Sequence, residues 1–521
     1  MAATISFDFQ NCFIIILPCF LAALYLFARF FKKRRDGFDQ PPSPPSLPII
    51  GHLYLFFSPL MHKSLQNISN KYGPLLRLHI FNYRILLVSS PSVLYEISKS
   101  HDVNISSRGL PPFKESLAFG SSGFIMAPYG EYWKFMTKLA VAKLTGMQTQ
   151  EQSRSARAFE VERFYGKLLD KARKKESVDI HKEIKGLISN ILFKMTLGRN
   201  CLEENSEAEK VTQLSDQLSA LAKKLLLAQI LNRWLEKLGI SLFKKEIMGV
   251  SNELDELLEK IIGERKEKDK YQCTDLLDTL LEAYRDENAE YKITMNHIKS
   301  LFAELFVGGP DTTSATIQWT MAEIINSPKT LERLREEIET VVGKTRMIQE
   351  TDIPKLPYLE AVFKESLRLH GPVPVIVRDF EEGCKIRGFY VPENTKLVFN
   401  CYAIMRDPNF WEDPDEFKPE RFMDGLRPAE DARREQALSY IPFGVGRRAC
   451  TAEKLASMFV RTAIGVMVQC FDWDIKGDKV NMKETTGRLF LGMAHPLECT
   501  PSPRALLNHP LPSHSVSSSS T

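Results

Sequence analysis

Phe443-Gly444-Val445-Gly446-Arg447-Arg448-Ala449-Cys450 decides how the rest of the chain is read. Its pattern Phe-x-x-Gly-x-Arg-x-Cys is expected about 0.002 times by chance in a chain of this composition. A solitary cysteine is ordinarily a small buried hydrophobe. The order of residues here argues for more. Glycines let a backbone come close to a flat ligand. Amide groups of such a loop can hydrogen-bond a sulfur and tune it. Cys450 as a thiolate could ligate iron, and Arg448 could pair a carboxylate. The nine cysteines are odd in number and include no Cys-x-x-Cys pair, which speaks against a disulfide framework or zinc ribbon and for a reducing compartment.

Upstream, Glu365-Ser366-Leu367-Arg368 lies between Pro357 and the stop signal Gly371-Pro372. Glu-x-x-Arg alone carries no weight, because Glu151/Arg154, Glu160/Arg163 and Glu332/Arg335 share it as plausible solvated helix pairs. A further arginine, Arg421, follows in Phe417-Lys418-Pro419-Glu420-Arg421-Phe422. Gly308-Gly309-Pro310-Asp311-Thr312-Thr313 interrupts a long helical pattern. Two glycines inside a helix cost about 1 kcal/mol each against alanine. The segment reads either as a break between two helices or as a deliberate opening in one.

The 521 residues are 44% apolar and 26% charged, an ordinary globular balance that excludes disordered, collagen-like and multi-span membrane classes. Lys plus Arg exceed Asp plus Glu by 69 − 65 = 4, too small a surplus for a nucleic-acid binder. Amphipathic helical stretches are expected near 130–148, 150–175, 207–238, 250–270, 295–327 and 329–342. Short strands are expected at Leu75–Ile80 and Ile85–Val88, and as a pair Lys385–Val391 and Lys396–Asn400 joined at Pro392-Glu393-Asn394. The class is mainly α with small β-sheets.

Cys12 to Ala28 carries no charge, and Arg29 alone interrupts its extension to Phe31. At about 1.5 Å per residue such a helix spans about 30 Å, one bilayer core. Lys32-Lys33-Arg34-Arg35 follows, and no Lys or Arg precedes Cys12. This bias predicts a retained single-pass anchor with the body in the cytosol. Pro41-Pro42-Ser43-Pro44-Pro45-Ser46-Leu47-Pro48 reads as a semi-rigid spacer. The expected organisation is anchor and basic stop over 1–35, proline-rich hinge over 36–52, one catalytic body over 53–501, and a disordered tail over 502–521.

The Cys450 motif, the Glu365/Arg368 helix, the glycine-interrupted helix and the anchor with its proline spacer together resemble the cytochrome P450 family, the haem-thiolate monooxygenases. The resemblance covers nearly the whole chain. It implies a cytochrome P450 fold behind a single N-terminal transmembrane helix, with haem b as cofactor. Cys450 would be the axial iron ligand on a loop that includes Gly446, with Phe443 beside it and Arg448 on a haem propionate. Glu365, Arg368 and Arg421 would form a buried structural charge cluster. Asp311 and Thr312 would relay the protons that O–O cleavage needs. Trp133 and Arg378 match further family positions near the propionates. Three residues depart from the pattern: Ala452 where Gly is usual, Pro310 before the acid, and Thr137 where a basic residue usually follows the Trp.

The resemblance also implies O2 as co-substrate, NADPH–cytochrome P450 reductase as electron donor, membrane lipid as surroundings and the endoplasmic reticulum as address. Arg433, Arg434, Arg447 and Lys454 are positive charges near the Cys loop that could receive a reductase. The pocket would draw on Phe113–Ala127, Leu301–Phe306, Val373–Val377 and Leu491–Met493, so a lipophilic substrate is expected. The stretch Leu218–Phe243 reads either as a membrane-resting surface or as an ordinary helix pair. The spacer, the Gly-Gly-x-Asp-Thr pattern and Tyr402-Ala403-Ile404-Met405-Arg406-Asp407-Pro408 are similar to plant microsomal members, above all a crucifer group of triterpenoid metabolism; related plant groups act on flavonoids. Two rival readings remain: a haem-binding sensor or carrier without turnover, and a membrane-tethered helical scaffold with a structural Cys450.

Overall fold

The computed structural model describes residues 39–504 apart from 110, 112, 119, 199–206, 236–238, 267–274, 424–436 and 486–489, together with 18, 20–23 and 25–26. Most of the expected anchor, all of its basic stop, Lys237, Arg433, Arg434 and the tail from 505 lie outside the described residues. Among the described residues no helix is long and apolar enough to cross a membrane. Two compact units result, one from 1–107 with 375–404 and the other from 108–374 with 405–521.

The first unit is built on a four-stranded sheet. Its order is Leu75–Ile80, Tyr83–Val88, Lys396–Asn400, Val375–Asp379, with the middle pairing parallel and the outer two antiparallel. Helix Met61–Tyr72 packs against the strands Leu75–Ile80 and Lys396–Asn400, and helix Pro91–His101 is N-capped by Ser90 with Pro91 in its first turn. The expected pairing of Lys385–Val391 with Lys396–Asn400 does not form. Arg387 and Gly388 both take positive φ (49° and 82°), the geometry of a tight two-residue turn. They fold the first run on itself as Cys384–Ile386 against Phe389–Val391. Lys396–Asn400, buried along most of its length, goes to the centre of the larger sheet. The proline segment is fastened to this unit rather than free. Pro42 O accepts from Arg77 N at 2.8 Å, and His52 Nε2 lies 3.0 Å from Pro44 O.

The second unit is helical. Its axis is Met295–Asn326, a 32-residue helix opened by a capping box between Thr294 and His297. Apolar residues surround it on nearly every side, so it reads as a core helix rather than an amphipathic one. Ile180–Leu197, Pro357–His370 and Glu453–Cys470 pack around it in one continuous core. Phe193 meets Phe306 at 5.9 Å, Trp319 stacks on His370 at 4.2 Å, and Thr320 Oγ1 bonds Ser366 Oγ at 2.8 Å. Pro310 does not divide this helix, which settles the choice left by the sequence for one interrupted helix over two.

The expected helix at 207–238 is two, Glu207–Ala220 and Ala222–Leu235. Leu218, Leu221 and Ala228 are buried, Leu221 and Ala228 with Phe113 and Ile247, so part of Leu218–Phe243 is core. The body also extends past 501. Strand Glu498–Pro503 pairs Ser502 with Asp472, and Arg504 N donates to Cys470 O at 3.0 Å.

Candidate functional site

The Cys450 loop closes on itself. Gly444 and Gly446 take φ of 80° and 68°, a region that favours glycine. Ala449 N bonds Gly446 O at 3.0 Å, and Cys450 N bonds Phe443 O at 2.8 Å. Phe443 packs half-buried against the core, and helix Glu453–Cys470 starts directly after the loop. Ala452, where the family has glycine, takes φ −100°, ordinary for any residue, so the departure carries no strain. Its N–H points at the sulfur and favours the thiolate, as Arg108 does, against a larger opposing effect of burial. Cys450 itself is exposed.

Arg448 is buried and lies 4.6 Å from the Trp133 ring, so the structure brings these two expected site residues together. Its guanidinium donates to Phe124 O at 3.3 Å and to Ala127 O. Arg447 donates to Tyr129 Oη at 2.8 Å. Thr137 Oγ1 is buried without a hydrogen-bond partner, and Lys138 turns outward to Glu290.

Asp311 and Thr312 are adjacent on the long helix but do different things. The Asp311 carboxylate accepts from Lys185 of helix Ile180–Leu197, which also holds Asp216. Thr312 Oγ1 donates to Gly308 O at 2.6 Å, across the segment where Pro310 provides no N–H. No hydrogen bond joins Asp311 to Thr312 among the described residues.

Glu365 and Arg368 are fully buried and paired through two bonds of 2.7 and 2.8 Å. Arg421 reaches the same carboxylate at 3.2 Å, and Lys418 N reaches it at 2.9 Å. Arg368 spends its remaining donors on Met405 O, Pro414 O and Glu416 O, with Trp411 against its face. All the expected members of this cluster meet. Arg378 belongs to the first unit, buried on strand Val375–Asp379 with Nη1 donating to Val377 O at 3.2 Å.

Two further residues escaped the sequence reading. Arg108 follows Ser106-Ser107 and precedes Gly109, whose φ is 78°. Its Nε is buried without a hydrogen-bond partner, while the residue as a whole stays half-exposed. Burial pulls its guanidinium below the usual range, against the attraction of Glu304 and Cys450. Glu304 lies on the Leu301–Phe306 face, where the sequence reading saw apolar residues. Burial pushes its carboxyl up to about 8, against N–H donors of Ile125 and Phe124 and the charges of Arg108 and Arg448. The signal for both was a single charge inside an apolar or glycine-flanked run.

These residues fit haem. An exposed thiol sits on a glycine loop, and a cation with an unpartnered buried Nε is close enough for its charge to act on it. A buried cation asks for an anion, and haem carries two carboxylates beside an iron that takes a thiolate.

The cytochrome P450 sequence model matches residues 41–499. Cytochrome P450 705A22 of Arabidopsis thaliana is 62% identical over 97% of this chain and 99% of its own length. Cytochrome P450 705A1 of the same plant is 58% identical over 97% and 99%. The 3,9-dihydroxypterocarpan 6A-monooxygenase of Glycine max is 36% identical over 94% and 98%. A zebrafish cytochrome P450 solved with abiraterone superposes with a TM-score of 0.71, at 24% identity, over 85% of this chain and 99% of that one, a likeness of fold.

Proposed function

The chain belongs to the cytochrome P450 family, and from that premise we propose that Cys450 holds haem b and that the enzyme oxidises a lipophilic specialised metabolite. It is an oxidoreductase, a cytochrome P450 monooxygenase. One observation carries the site assignment: Cys450, exposed on a loop closed by left-handed glycines, lies within charge range of Arg108, whose buried Nε has no partner. When bound, haem b activates O2 with two electrons and supplies the oxidant that inserts one oxygen atom into a C–H bond or removes two hydrogens.

The chain's own residues divide the remaining work. The Ala452 N–H and Arg108 favour a thiolate at Cys450. Arg448 and Arg108 would take the propionates, with Trp133 supporting Arg448. Arg378 is proposed as a further propionate partner by its family position. Thr312 Oγ1, held by Gly308 O, would hand on protons beside the Gly308-Gly309-Pro310 segment of the long helix. Asp311 would supply them once Lys185 releases it. Glu365, Arg368 and Arg421 would hold the segment that leads to the Cys loop.

The proposed donor is NADPH–cytochrome P450 reductase. The proposed address is the endoplasmic-reticulum membrane, with residues 1–35 as anchor and the body cytosolic. This rests on the charge asymmetry about the apolar segment. A triterpenoid is the proposed substrate class. A pterocarpan or flavonoid is the second reading, favoured by the name of the soybean relative.

The test is the reduced, carbon-monoxide difference spectrum of the membrane-expressed full chain, followed by NADPH-dependent product formation with reductase. The expected result is a strongly red-shifted Soret band that Cys450→Ser abolishes. An unchanged band in that variant removes Cys450 as ligand. Haem binding without NADPH-dependent product from either substrate class would favour the carrier reading.

A further inference from the structure

Among its described residues the stretch from Leu117 to Ala127 has no regular secondary structure, yet it is pinned at four points. Ser251 Oγ accepts from Leu117 N at 2.8 Å, and Tyr132 Oη donates to Ser122 O at 2.5 Å. Glu304 accepts from Ile125 N through both oxygens, at 3.2 and 3.1 Å, with Phe124 N–H also directed at it. Arg448 donates to Phe124 O and Ala127 O. One turn of chain is therefore gripped from two sides. A carboxyl on the long helix takes its N–H groups, and a guanidinium on the Cys450 loop takes its carbonyls.

Gly123 makes the grip possible. Its φ is not left-handed, so conformational freedom is not the reason for a glycine. The reason is space: a Cβ there would collide with Glu304 Oε1 and stand 2.8 Å from its Cδ. A 2% exposed carboxyl brought this close to backbone is costly unless the N–H groups it meets belong to the native arrangement.

We infer that Glu304 is a positioning residue whose carboxyl, seated against Gly123, fixes the Phe124–Ala127 turn and through Arg448 sets the spacing between the long helix and the Cys450 loop. That spacing is the gap a flat prosthetic group has to fill. The inference rests on the haem reading only for the second of its two readouts.

The experiment uses the full chain in membranes. Amide hydrogen exchange over peptides covering 117–127 reads the turn, and transfer of haem to apomyoglobin reads the gap. Glu304→Ala should speed exchange there on the order of tenfold, since about two hydrogen bonds from backbone N–H groups to the carboxyl are lost, and should speed haem loss as well. Glu304→Gln, which keeps an acceptor of the same shape, should restore most of both. Gly123→Ala should behave as Glu304→Ala does, and the double variant Gly123→Ala/Glu304→Ala should be no worse than either, because removing the carboxyl removes the collision. Unchanged exchange in Glu304→Ala, or additive effects in the double variant, would overturn the inference. Faster exchange with an unchanged haem transfer rate would overturn the link to the gap. A protein without haem would fail the haem reading, while the exchange result would still decide the grip.

Discussion

Arg368 and Arg108 are both guanidinium groups held away from bulk water, and they differ in what surrounds them. Arg368 is fully buried, and its donors are matched by Glu365 and three carbonyls, with Trp411 against its face. Arg108 keeps a buried Nε without a partner, and its charge acts on Cys450. A closed network serves the fold. An open one, which a folded chain tolerates only for a reason, marks where a ligand completes the protein.

The comparison can be broken most forcefully at Glu365. Glu365→Ala would strand a sealed cation at a cost of about 3–5 kcal/mol. The expected outcome is little folded holoprotein, followed by thermal unfolding of the purified full chain. A wild-type midpoint would dissolve the distinction. Arg108→Leu is the mirror test. Haem-free protein should unfold no more easily than wild type, while haem transfer to apomyoglobin should accelerate on the order of tenfold. Equal destabilisation of the haem-free protein would put Arg108 in the same class as Arg368.

The pH dependence of Glu304 sharpens the contrast further. Its folded-state value, pushed up to about 8 by burial, exceeds the ordinary carboxyl value of 4.5. Arg108 and Arg448 favour its charged form, and its charge raises Tyr132. The native state therefore binds the extra proton, and the stability this gives is complete below about pH 4.5 and lost as pH rises toward 8. Relative to Glu304→Gln, the wild type should lose up to about 1.4 kcal/mol per pH unit across that window. Unfolding midpoints of both proteins, compared stepwise from pH 5.5 to 8.5, would show this as a widening difference; parallel curves would contradict it. The smallest effect belongs to Arg421, the outer member of the closed cluster. Arg421→Ala should cost about 1 kcal/mol, readable as a small fall in midpoint with an unchanged spectrum.

What the sequence disclosed follows the same division. Closed features leave local marks: a capped helix bounded by Pro357 and Gly371-Pro372, a three-residue spacing, a glycine loop ending in cysteine. Of the look-alike pairs, Glu151/Arg154 and Glu160/Arg163 do form, while Arg335 turns to Asp472 and two carbonyls. Spacing alone could not have ranked them. Lys185 at Asp311 and Glu304 at Gly123 were not legible, because their partners are more than a hundred residues away in the chain. The misplaced strand pair failed for a local reason, since Arg387-Gly388 was a stronger turn than Pro392-Glu393-Asn394. The Ser502 boundary failed because Pro501 and Pro503 lie where strand Glu498–Pro503 is flanked by Phe471–Ile475 alone, beyond the end of its other neighbour Val178–Asp179, and there proline is tolerated.

The fastening of the proline segment has a mechanical consequence. Gln40 Oε1 already accepts from Arg77 Nη1, and Pro42 O holds the backbone two residues on. From Arg35 to Gln40 the chain can reach at most about 17 Å at full extension. If the basic run ends at the lipid headgroups, as proposed, the sheet edge at Arg77 rides on a leash shorter than the bilayer is thick. Such a leash restricts which side of the first unit can roll toward the membrane. Lengthening it would change the protein's orientation before it changed its chemistry.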